Sequence, residues 1–289
     1  MKPEELKLGI YEKALPYGLD WPTRLALAER LGFQFVEISV DEKDERLARL
    51  DWRLEERKAF VNAVLESSLT VPSMCLSGHR RFPFGSHDPE IRRQALAIMA
   101  KAIQLAVDTG IRTIQLAGYD VYYEKGDADT RAWYIEGMQQ SLAMAAREQV
   151  MLAVEIMDHP FINSILRFVN LKKVLDSPWF AVYPDIGNLS AWGVDVDQEL
   201  TLGISHMVAL HLKDTLAVTP THGGTFKEVA FGSGCVEFPA AFATLKRLDY
   251  QGPFLIEMWT EKVQDPGKEI LAARQWIFDQ MRLGGYIDG

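Results

Sequence analysis

Short, nearly unbroken apolar runs alternate along this chain with longer stretches in which apolar residues recur every three or four positions. The runs are KLGIYEKA (7–14), FQFVEISV (33–40), TVPSMCLS (70–77), IRTIQLAG (111–118), VMLAVEIM (150–157), WFAVYPDIG (179–187), HMVALHLKD (206–214) and GPFLIEMW (252–259). Their length and their β-branched and aromatic content predict eight strands. Between them WPTRLALAERLG (21–32), DPEIRRQALAIMAKAIQLAVDTG (88–110) and DTRAWYIEGMQQSLAMAAREQ (129–149) carry helical spacing. Gly32, Gly110 and Gly252 each precede a strand and are expected as helix C-caps. The last helix, over 266–285, opens on a proline and closes on two glycines.

Strand–helix alternation repeated eight times implies parallel strands joined by crossovers, because parallel neighbours cannot be joined by a hairpin. Eight such units in roughly 250 residues is the size of a (β/α)₈ TIM barrel. A doubly wound open sheet is the runner-up. Neither a Pro/Gly/Ser linker nor a G-x-G-x-x-G fingerprint after the first strand is present, so a single barrel domain over 1–289 is expected.

Carboxylates interrupt these apolar runs. Glu37, Glu155 and Glu257 lie where buried strands should be, and an unpaired buried charge costs several kcal/mol or more. In a barrel the C-terminal strand ends open into the active site. There the fifth strand offers Glu155, the sixth Asp185, the seventh His211 and the eighth Glu257. Neighbouring strands lie ~4.8 Å apart, so groups on consecutive strands can converge on one ion. Three carboxylates and one imidazole suit a divalent metal, with Mn, Mg, Co and Zn all open. Glu37 and Asp214 are candidates for holding these ligands from behind. Taken one at a time, a strand-end acid is as readily a helix cap or ion-pair partner, and a lone histidine a core residue.

Composition narrows the setting. The chain is 48% apolar and 25% charged, with a net charge of −9, which argues against nucleic acid as a partner. Cys75 and Cys235 stand alone in their segments, which suits a reducing cytoplasm and leaves no zinc knuckle or disulfide framework. A charged N-terminus without an apolar core and the lack of any long apolar run predict neither a signal peptide nor a membrane span.

YPDIGNLSAW (183–192), HLKD (211–214), CLSGHRRFPFGS (75–86), IQLAGYDVYY (114–123) and LGIYEKALP (8–16) together resemble the L-ribulose-5-phosphate 3-epimerase family. That family belongs to the xylose-isomerase-like barrels and is placed in L-ascorbate breakdown; the likeness runs over essentially the whole chain. It implies a ketopentose 5-phosphate substrate, one divalent ion, epimerisation at C3 by Glu155 and Glu257, and a homodimer in the cytoplasm. For substrate and phosphate it points to His79 and Arg80 of SGHRR and to Asn188. Lys213 alternates with His211 and is a candidate for the mouth or for an ion pair behind it, and Ser233 and Gly234 of the FGSG loop are a candidate phosphate cradle or a tight turn. Free-sugar ketose 3-epimerases place a histidine three residues after the sixth-strand aspartate, where this chain has Asn188. Trp192, Tyr122, Tyr123 and Trp259 follow strand ends and are candidate walls, and the 216–229 segment is expected as a long loop. Other sugar isomerases of the same barrel, an apurinic-endonuclease-like hydrolase and a non-catalytic sugar-binding barrel are the competing readings.

Overall fold

The computed structural model describes residues 5–288. Its main sheet consists of β1 (Leu8–Tyr11), β2 (Phe35–Val40), β3 (Ser73–Leu76), β4 (Thr113–Leu116), β5 (Met151–Glu155), β6 (Phe180–Tyr183), β7 (Leu210–Leu212) and β10 (Phe254–Ile256). Every pairing in it is parallel, in the order β6-β5-β4-β3-β2-β1-β10-β7. Bridges between Val182 and Met207 and between Asp185 and His211 bring the two outer strands together and close the barrel. The expected strands are therefore all present, each shorter than its apolar run.

The helices are α1 (Trp21–Arg30), α2 (Asp44–Leu47), α3 (Leu54–Leu65), α4 (Pro89–Thr109), α5 (Ala128–Glu148), α6 (Ile165–Lys172), α7 (Ile186–Ala191), α8 (Val196–Gly203), α9 (Phe238–Arg247) and α10 (Pro266–Leu283). Aspartates at 20, 88, 127, 185, 195 and 265 cap helix N-termini, each accepting a backbone N–H of the first turn. Gly32 and Gly110 end their helices in the left-handed region, with φ of 82° and 80°. Gly252 does not cap. Asp249 takes the left-handed turn after α9 with φ 52°, and Gly252 instead leaves room for the Tyr250 ring packed over it.

The seventh apolar run is divided. His206 belongs to a one-turn 3-10 helix, and Asp214 begins a second, antiparallel sheet of β8 (Asp214–Thr219) and β9 (His222–Val229). The expected long loop is thus a β-hairpin rising from the C-terminal end of β7. Beyond β1, two strands along the barrel from β7, buried Glu12 accepts from both terminal nitrogens of Arg49 at 2.6 and 2.7 Å and from the Ser39 N–H at 2.8 Å. Arg46 and Arg24 stand 3.1 and 3.3 Å from it, so one carboxylate ties β1 and β2 to α1 and α2.

Candidate active site

The barrel brings together the four strand-end groups. Glu155 is the last residue of β5, and Asp185 lies beyond β6 as the N-cap of α7. His211 is the middle of β7, and Glu257 directly follows β10, its N–H donating to the Leu212 carbonyl at 3.0 Å. One donor atom from each of these residues lies within 4.8 Å of the others. His211 Nδ1 is 3.2 Å from Glu155 Oε1 and 3.8 Å from Glu257 Oε2, so the two glutamates converge on one ring nitrogen. Behind it, Nε2 faces buried Glu37 at 3.5 Å.

Lys213 enters the same cluster, its Nζ 2.7 Å from Asp185 Oδ2 and 2.8 Å from Glu257 Oε2. These ion pairs set the electrostatics. Burial pushes Glu155 up, the Glu257 charge adds to that and His211 opposes it, leaving a pKa of about 7. Burial raises Glu257 too, but Lys213 and then His211 outweigh it and hold the carboxyl at about 2. Asp185 is raised, chiefly by burial against the pull of Lys213. For His211 burial favours the neutral ring, yet the Glu155 carboxylate at Nδ1 and the Glu37 carboxylate near Nε2 raise it well above the ordinary value.

This donor set fits a divalent cation. Among the described residues, the four carboxylates Glu37, Glu155, Asp185 and Glu257 make their ion pairs with His211 and Lys213, so the cluster formally keeps excess negative charge. Asp185 Oδ2, Glu257 Oε2 and His211 Nε2 are buried and make no hydrogen bond of good geometry, despite the nearness of Lys213 to the first two. Oxygen-rich sites with an imidazole are suited to hard or borderline dications.

A cavity of about 200 Å³ opens above the cluster. Glu155, Asn188, Lys213, Glu257, Arg80 and Trp259 line it, as do Tyr11, Cys75, Phe226 and Lys227. Asn188 is anchored by its amide, which donates to the Ile156 carbonyl at 2.7 Å. Arg80 stacks over the Tyr122 ring at 4.5 Å and approaches Glu42 at 3.7 Å. Tyr123 is exposed at the edge of the mouth, its hydroxyl donating to Glu42 at 3.0 Å, and Trp192 packs against Phe226 of the hairpin at 5.8 Å.

Three expected residues lie elsewhere. His79 turns into the core, stacked on Phe84 at 4.4 Å with Nε2 3.1 Å from the Ala95 carbonyl, and burial lowers its pKa to about 4. Ser233 and Gly234 do not line the cavity. The Gly232 and Gly234 amides both donate to Asp214 Oδ2 at 2.9 Å, and the Ser233 amide donates to the Ala230 carbonyl. Asp214 therefore fastens the FGSG loop rather than any strand-end ligand.

Sequence reasoning missed Gln115, Lys227, Phe226 and Tyr11. Fully buried Gln115 donates its side-chain N–H to Glu155 Oε2 from β4, the strand that pairs with β5. Its position inside the apolar run IRTIQLAG was the available signal. Lys227 and Phe226 gave none, because only the hairpin register brings them to the mouth.

This barrel with acids at its carboxyl ends belongs to the xylose isomerase-like TIM barrel family, whose model matches residues 25–280. Nearer kin are the L-ribulose-5-phosphate 3-epimerases, and with them the chain is an isomerase. A Shigella boydii protein named L-ribulose-5-phosphate 3-epimerase UlaE is 54% identical over 288 residues, covering 100% of this chain and 99% of its own. An Escherichia coli K12 protein provisionally named L-ribulose-5-phosphate 3-epimerase SgbU is 58% identical over 281 residues, 97% of this chain and 98% of its own. The solved D-psicose 3-epimerase of Clostridium cellulolyticum H10, with D-tagatose, superposes with a TM-score of 0.78 at 16% identity, covering 96% of this chain and 99% of that one, a likeness of fold. Among the described residues no helix is long and apolar enough to cross a membrane.

Proposed function

We propose that this chain interconverts L-xylulose 5-phosphate and L-ribulose 5-phosphate by exchanging the proton at C3. The substrate comes from the names of the full-length relatives. The observation that carries the chemistry is the convergence of two glutamates on His211 Nδ1, at 3.2 and 3.8 Å, in one acidic cluster.

In this reading Glu155, Asp185, His211 and Glu257 hold one divalent ion. When bound it supplies Lewis-acid stabilisation to negative charge on the sugar oxygens beside C3. The C3–H bond is acidified by the adjacent C2 carbonyl. One glutamate takes that proton as the C–H pair delocalises toward the carbonyl oxygen, and the other returns a proton to the opposite face. Inversion needs one carboxylate to accept and one carboxyl to donate, and Glu155 and Glu257 would fill these two roles. Gln115 fixes the plane of the Glu155 carboxylate by occupying Oε2.

The test is conversion of L-xylulose 5-phosphate by enzyme supplied with Mg²⁺ or Mn²⁺, with the products separated and identified. L-Ribulose 5-phosphate is expected. An aldopentose 5-phosphate would instead assign an aldose–ketose isomerase, and no conversion with any divalent ion would sink the reading.

A further inference from the structure

The cavity above the acidic cluster has a larger neighbour. A second chamber, of about 410 Å³, lies between the end of β9, the start of the FGSG loop, the turn after β10 and α10. Lys213, Glu257 and Trp259 line both cavities, so the two adjoin across these three side chains.

The second chamber is mostly apolar. Val229, Phe231, Met258, Trp259, Ala273 and Trp276 line it, with the Phe231 and Trp276 rings 5.7 Å apart. Its charged groups are mainly acids. Glu228, Glu261 and Glu269 stand at exposed positions on the rim against one lysine, Lys262. Glu228 and Lys262 pair with each other and join the hairpin to the turn after β10, with Glu228 at a left-handed φ of 58°. Glu261 and Glu269 have no ion-pair partner among the described residues. At the inner end Lys213 and Glu257 oppose each other at 2.8 Å. What remains is two free carboxylates above two indole rings.

These walls decide what can bind. A concave site of this size, apolar with a few polar groups, is the usual form of a small-molecule pocket. Indole faces attract organic cations, and the free carboxylates attract the same charge. A sugar phosphate is unsuited to it, because its hydroxyls would meet apolar walls and its dianion would meet the two acids.

We propose that this chamber is a second ligand site, separate from the sugar site, for a small organic cation with an aromatic body, an arylalkylammonium of the tryptamine class. The body packs among Phe231, Trp259 and Trp276, and the ammonium faces Glu261 and Glu269. The proposal does not depend on the epimerase reading.

The experiment is calorimetric titration of the full chain, with Mg²⁺ present, by three probes of similar shape: tryptamine, neutral tryptophol and anionic indole-3-propionate. Tryptamine is expected to bind about tenfold more tightly than tryptophol, with indole-3-propionate weaker still. Ala272→Trp changes an exposed position of α10 on the chamber wall and is expected to abolish binding. The double variant Glu261→Gln, Glu269→Gln adds no bulk and is expected to remove the preference for the cation while tryptophol still binds. It decides the matter should Ala272→Trp fail to fold. No binding of tryptamine to the wild type, equal binding of all three probes, binding unchanged in folded Ala272→Trp, or a cation preference that survives the double variant would overturn the proposal.

Discussion

Glu12 and Glu155 both stand at the carboxyl ends of barrel strands, and their neighbours give them opposite fates. Arg24, Arg46 and Arg49 surround Glu12 and hold its pKa low against the effect of burial. Removing one partner of such a network leaves buried charge uncompensated, so Glu12→Gln is expected to cost about 3–5 kcal/mol in denaturant unfolding. Glu155→Gln and Glu257→Gln act differently. Each is expected to leave the fold intact and lower kcat by roughly 10²–10⁴, the range for a lost general acid or base. Sequence pattern exposes both kinds of acid and cannot say which arginines will reach them. His79 shows the same limit. It follows β3 in SGHRR, but the one-turn 3-10 helix Gly78–Arg80 swings its ring into the core and leaves only Arg80 at the mouth. Its folded pKa of about 4 lies below the ordinary 6.5, so between those values the unfolded chain binds the proton and the folded one does not. Stability from this residue is therefore full above pH ~6.5 and falls as the pH drops toward 4, by about 3 kcal/mol. His79→Phe is expected to flatten that slope in urea midpoints measured across the window, whereas a slope as steep as the wild type's would contradict the assignment.

The hairpin was the least legible element. LAVTPTHGGTFKEV has a proline at its turn and two adjacent glycines at the start of its second strand, so its alternation is broken where a strand signal is needed. What folds it is the antiparallel register, Leu216 opposite Thr225 and Val218 opposite Gly223, with an irregularity between Asp214 and Leu216. It projects from the barrel and touches α7 and the mouth. Shortening it to a tight turn that removes residues 217–226 is expected to leave the barrel's melting within a few degrees and raise KM about tenfold or more. A collapse of the barrel's thermal transition would show the hairpin to be structural. The FGSG loop misled in the other direction. A glycine–serine–glycine run before a helix reads as an anion cradle, but Asp214 at the base of the hairpin already fills it.

At the scale of the molecule, the strand–helix alternation made the barrel legible, and the barrel made the cluster legible. Residues 155, 185, 211 and 257 are far apart in the chain, and only closure across the β6–β7 seam and the β7–β10 pairing makes them neighbours. Their excess negative charge predicts that chelator treatment lowers the melting temperature and that Mn²⁺, Mg²⁺, Co²⁺ or Zn²⁺ restores it in proportion to ligand saturation. Equal melting with and without chelator would count against a resident ion. Two-glutamate proton exchange at C3 is read out by proton NMR of the Mg²⁺-supplied enzyme with L-xylulose 5-phosphate in D₂O. Loss of the C3 proton signal with appearance of C3-deuterated L-ribulose 5-phosphate is the result expected, abolished in Glu155→Gln and in Glu257→Gln. Exchange at C1, or C3 exchange that survives in both variants, would contradict the account.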